Sequence, residues 1–193
     1  MRNSLFTIGQ TYLMSALGIN GATQNVQFNN GDYYLRSKIT AGGILELIDS
    51  NTKKVDGLSS FDGRSLEDGV NLALEKVRFA YGTSATVGGA TDPVAIKYST
   101  AYADVPAALA NADLVISQHG KQILSVPVQR FLLGAASNRP AGLEDAYELD
   151  AIRLIKEKTE LSIAIRFPKG ATLPDANHFI ELHLIGSTTG RKS

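Results

Sequence analysis

The sequence predicts an all-β protein, a single jelly roll or β-sandwich of about eight antiparallel strands with one or two short helices and an N-terminal arm. Three observations predict it. Short segments alternate apolar and polar residues with a period of two, most cleanly at Leu161, Ile163, Ile165 and Phe167 against Glu160, Ser162 and Arg166. Gly, Pro, Asn and Asp punctuate the chain between these segments. With 193 residues, 44% hydrophobic and 20% charged, the chain can bury one sizeable core.

Residues 1–31 are expected to form an arm, and residues 32–193 the β domain. In the arm, Leu5, Ile8, Tyr12 and Ala16 recur at helical spacing with Phe6 and Leu13 beside them, the pattern of a short amphipathic helix. Such a helix either packs on its own domain or docks on a neighbouring subunit or a lipid surface, which makes Leu5, Phe6, Ile8, Tyr12 and Leu13 candidate subunit contacts. Gly9, Gln10 and Thr11 interrupt the apolar stretch too early for a signal-peptide core, so the segment reads as part of a mature protein made in the cytoplasm.

YYLRSKIT puts Tyr33, Leu35 and Ile39 on one face, and ILELIDS follows across Ala41-Gly42-Gly43, as in a hairpin. In SLEDGVNLALEKVRFAYGTS, a helical stripe of Leu66, Val70, Ala73, Leu74 and Val77 behind Ser65 competes with the strand alternation of Val77, Phe79 and Tyr81. A helix or turn running into a strand satisfies both, and residues 66–76 are left open between them. Val94, Ile96 and Tyr98 suggest a strand after Pro93, followed by a helical turn from Pro106 to Leu109. DLVISQ and QILSVPV form a second hairpin through His119-Gly120; Pro127 must end its strand or lie at an edge, because it has no N–H to donate. Gly134 to Ala146 is a loop, and ELDAIRLI, ELSIAIRF and FIELHLIG complete the series, the last with Ile180, Leu182 and Leu184 on one face.

Catalytic groups do not converge. His178 and His183 are five apart on one strand, so their rings take opposite faces and cannot share a metal. His119 occupies a turn. There is no G-x-S-x-G elbow and no phosphate-binding G-x-x-x-x-G-K-[ST] loop, and Gly88-Gly89 lacks the strand-to-helix context of one. The pairs Glu67-Asp68 and Glu144-Asp145 read as solvated or capping charges, and Asp92 and Asp175 as turn formers. Nineteen basic residues balance nineteen acidic ones and there are no cysteines, so no broad positive field gathers nucleic acid and no disulfide or thiolate site exists. Arg153, Lys156, Lys158, Arg191 and Lys192 are interleaved with Glu157, Glu160 and Glu181, which neutralises that end locally. No enzyme, cofactor or metal is expected.

TELSIAIRFP, a loop with Pro174, and FIELHLIGSTTGRK resemble the closing strands of jelly-roll capsid proteins from icosahedral bacteriophages, including lipid-containing ones. ADLVISQHGKQILSVPVQRF is similar to a paired unit of such shells. The resemblance covers roughly the last eighty residues and lies in strand-and-turn pattern. It implies a structural virion protein, a coat or vertex or minor capsid subunit, made in the host cytoplasm. Such a subunit self-assembles as a homo-oligomer with other capsid proteins, and its arm lies near a membrane or a neighbour. The absence of a basic arm departs from coat proteins that grip their genome, and implies that another protein or an internal membrane contacts the nucleic acid. The competing expectation is a β-sandwich binding module for a glycan or protein partner, with Tyr33, Tyr34, Tyr81, Tyr98 or Tyr102 as a stacking platform.

Overall fold

A strand with apolar side chains at every second position has one face to hide, and two sheets built of such strands satisfy each other by packing those faces together. The computed structural model describes residues 2–19, 26–133 and 145–191, of which 2–6 and 191 are described in backbone only. Its elements are α1 (Arg2–Leu17), β1 (Val26–Ile39), β2 (Ile44–Glu46), β3 (Leu72–Ser84), α2 (Ala107–Ala110), β4 (Asp113–Gln118), β5 (Lys121–Pro127), β6 (Tyr147–Ile155), β7 (Leu161–Arg166) and β8 (Asn177–Arg191). The strands form two antiparallel four-stranded sheets, in the orders β1-β8-β3-β6 and β2-β7-β4-β5. The pairs β1·β8, β2·β7, β3·β6 and β4·β5 are those of one long hairpin whose tip is the β4–β5 turn. Wrapping that hairpin on itself adds the pairs β3·β8 and β4·β7. The chain is an all-β sandwich with jelly-roll strand order.

The core lies between the two inner faces. Leu35 and Ile39 of β1, Val77, Phe79 and Tyr81 of β3, and Ile180, Leu182 and Leu184 of β8 meet Leu114 and Ile116 of β4 and Leu161, Ile163 and Ile165 of β7, all of them buried. Burying each large aliphatic or aromatic side chain contributes about 1.5–3 kcal/mol before conformational entropy is set against it. Phe131 stacks on Phe79 with centroids 6.5 Å apart and meets Tyr147 edge-on at 5.4 Å. The β4–β5 hairpin turns where expected, with His119 at φ 49°. Pro127 ends β5, which is an edge strand. The helical turn after Pro106 is α2.

Three local expectations are corrected, and the open choice at residues 66–76 is decided. β1 and β2 are not a hairpin; they sit in different sheets, and Ala41-Gly42-Gly43 carries the chain across the sandwich. Residues 66–76 hold no helix: Leu72, Ala73 and Leu74 are all buried, because β3 is flanked by β6 and β8 and a second layer covers each of its faces. Gly69, at φ 81°, takes a backbone form closed to a right-handed helix. Val94, Ile96 and Tyr98 are not a strand. Asp92 Oδ1 accepts from the Val94 N–H at 3.0 Å and starts a 3₁₀ turn at Pro93–Ala95, and the Tyr98 hydroxyl donates back to the Pro93 carbonyl at 2.8 Å. Finally, β1 begins at Val26, inside the segment assigned to the arm. The expected loop from Gly134 falls outside the described residues as far as residue 144.

Candidate functional site

β1, β8 and β3 run side by side in register, so residues directly opposite one another share a face. On the outer face this aligns Arg36 with Glu181, and Tyr34 with His183 and Arg78. Glu181 is the centre. Its carboxylate accepts from Arg36 Nε at 2.7 Å, pairs with Arg78, and lies 3.4 Å from His183 Nε2, while His183 Nδ1 is 2.8 Å from Asp32. The Glu181 side chain is 6% exposed, those of the two arginines about a quarter, and Asp32 52%. Arg36 also donates to the Gly57 carbonyl at 2.5 Å, and its guanidinium lies 5.9 Å from the Tyr34 ring centre and 5.7 Å from that of Tyr98.

Burial works against the charged forms here, and the partners overcome it. Desolvation raises the Glu181 carboxyl, but hydrogen bonds from His183, Arg36 and Arg78 hold its pKa down at about 2. Desolvation lowers the His183 ring, but hydrogen bonds to Asp32 and Glu181 lift it to about 9. At neutral pH the cluster therefore holds three cations and two anions.

The same outer face seats α1. The helix packs on β8, β3 and β6, and Gly9 is what lets it come close: a Cβ there would collide with Glu75 Oε1 and Ser187 Oγ. Glu75 is the extra residue of a bulge in β3, accepts from Ser187 Oγ at 2.8 Å, and is raised in pKa by burial. Of the candidate subunit contacts, Leu13 is fully buried on its own domain, Tyr12 is half-buried and Ile8 is 53% exposed. The side chains of Leu5 and Phe6 fall outside the described residues.

The histidines separate by face as their odd spacing requires. His178 points inward, accepting from the Tyr81 hydroxyl at 2.5 Å through Nδ1 and donating through Nε2 to the Pro174 carbonyl at 2.8 Å. Burial pushes the Tyr81 phenol up to about 12, so it keeps its proton. Glu67 and Asp68 form surface ion pairs with Lys54 and Lys158 at 2.7 and 2.9 Å. Asp175 accepts from Thr86 at 3.0 Å. Among the described residues, no three metal-ligating side chains are arranged to hold an ion, and no helix is long and apolar enough to cross a membrane. The five candidate tyrosines do not share one face. Tyr33 and Tyr81 face the core, Tyr34 and Tyr98 flank Arg36, and Tyr102 is 47% exposed.

Sequence reasoning placed Glu181 among locally neutralised surface charges and missed the cluster. The signal was present in the alternation: FIELHLIG puts Glu181 and His183 on the face opposite Ile180 and Leu182. What was missing was the knowledge that Arg36 and Arg78 would be their neighbours, since only the strand order supplies it. The chain matches no protein-family model and no curated protein sequence.

Proposed function

We propose that the protein is a structural virion subunit, a coat or vertex or minor capsid component that self-assembles through its jelly roll. The strand order carries this reading, because a double sheet in the orders β1-β8-β3-β6 and β2-β7-β4-β5 is an architecture of viral capsid domains, although lectin domains and cupins also use it. The balanced charge fits a shell component that leaves the genome to another protein or to a membrane. Polar groups on the outer face of the first sheet are committed to one another rather than aimed at a cleft, which suits a rigid building block. The test is light scattering after size-exclusion chromatography, with negative-stain electron microscopy of the same fractions. Closed oligomers or shells are expected, and a monomer at every concentration overturns the reading.

A further inference from the structure

We infer that the outer face of the second sheet is a two-fold contact surface for a second copy of this chain. The inference rests on the reading of the protein as self-associating and names the surface that does it. Strand registers arrange this face in rows across β2-β7-β4-β5. One row is Ile44, Arg166, Asp113 and Pro127; the next is Glu46, Ala164, Val115 and Ser125; the third runs from Ser162 through Ser117 to Gln122. α1 packs on the other sheet, and Ile44, at 62% exposure, together with Arg166, Ser125, Gln122 and Pro127, is open to solvent, while Ala164 and Val115 between them are buried. Arg166 and Asp113 stand side by side yet form no ion pair among the described residues.

The rows are complementary to their own reversal. A two-fold axis in the plane of contact, parallel to the strands and between β7 and β4, exchanges β7 with β4 and β2 with β5. Arg166 of each copy then faces Asp113 of the other, Ala164 faces Val115, Ser162 faces Ser117, and Ile44 faces Pro127. Near the axis the charges Arg166 and Asp113 meet their opposites and Ala164 meets Val115, and at the flank Glu46 faces Ser125. Apart from Arg166, the side chains nearest the axis are short, so the sheets can approach to the usual spacing of about 10 Å. Twisted sheets pack with strands about 30° apart, so the β7–β4 contacts are kept and the Ile44–Pro127 contacts flank them. Such an interface is isologous, with one patch used twice.

The test is a charge exchange read by sedimentation velocity across a concentration series. Asp113→Arg and Arg166→Asp each place like charges in both symmetry-related contacts, and at about tenfold or more per contact each raises the dimer dissociation constant at least about a hundredfold. In a dimer of one variant with the other, both contacts again join an acidic side chain to a basic one, so the equimolar mixture recovers association to within about tenfold of the original chain. Unchanged thermal midpoints of the single variants confirm that each folds. If the single variants associate as tightly as the original, or the mixture fails to recover, the face is not the contact, and self-assembly through another surface stands. If the original chain is monomeric throughout, this inference and the proposed function fall together.

Discussion

Replacing Glu181 with Gln removes the one carboxylate on which Arg36, Arg78 and His183 converge, and keeps the shape of the side chain. Removing one partner from a buried ion pair costs about 3–5 kcal/mol, because the opposite charge stays behind. Here the stranded cations are partly wet: Arg36 is 26% and Arg78 25% exposed, against 6% for Glu181. Partial rehydration brings the expected loss to about 2–3 kcal/mol. For a chain of this size, each 1 kcal/mol moves the thermal midpoint by about 2–4 °C, so Glu181→Gln should melt about 4–12 °C lower at pH 7. Thermal denaturation followed by circular dichroism reads this directly. Glu148→Gln, which loses only an exposed pairing with Lys76 at 3.9 Å, is the matched control and should shift by less than about 2 °C. A second arm sharpens the test. Above pH 9 the native ring of His183 has itself discharged, so the gap between variant and original narrows. A Glu181→Gln midpoint within about 1 °C of the original at pH 7 would refute the claim that this cluster braces β1, β8 and β3.

His183, held at about 9 against an unfolded value near 6.5, contributes stability that is fully present below pH 6.5 and lost as the pH rises through 9. The shift corresponds to at most about 3 kcal/mol, reduced to about 1–2 kcal/mol because solvent screens the half-exposed Asp32; His183→Gln should flatten the alkaline slope, and an unchanged slope counts against it. Gly9→Val should lift α1 from Glu75 and Ser187, read as faster protease cleavage within α1, whereas cleavage at the original rate would mean that the close approach is not needed. Tyr81→Phe strips the His178 Nδ1 acceptor of its donor and should cost about 1–3 kcal/mol in urea denaturation, with a cost under about 0.5 kcal/mol excluding that bond as a structural support.

Much of the fold was legible because burial imposes a period of two on any strand covered on one side. Leu161, Ile163, Ile165 and Phe167 showed their inner face directly, and His119-Gly120 located the one connection between described strands that stays within a sheet. Legibility failed where two sides are covered or where a turn competes. Leu72, Ala73 and Leu74 are buried together, which erases alternation and leaves a run that a helical stripe also fits. Val94, Ile96 and Tyr98 alternate properly, but Asp92 and Pro93 coil the backbone before a ladder can form. The Gly42-Gly43 connection has the composition of a hairpin, and only the pairing of β1 with β8 shows that it crosses layers. The Glu181 cluster was beyond reach for the same reason, since its members lie as far apart in sequence as Arg36 and Glu181.

The strand order also dictates a timetable. β4 and β5 meet across two residues, whereas Val26 must find Arg191, so loop-closure entropy lets pairing start at the hairpin tip and spread outward. β1 and β3 lie in one sheet but never touch as strands; β8 separates them. Until residues 177–191 have left the ribosome, the first sheet is two pieces with a gap at its centre, and the seat for α1 on β8 does not exist. The outer surface of the first sheet, the Glu181 cluster included, is therefore completed by β8, the strand that joins β1 to β3.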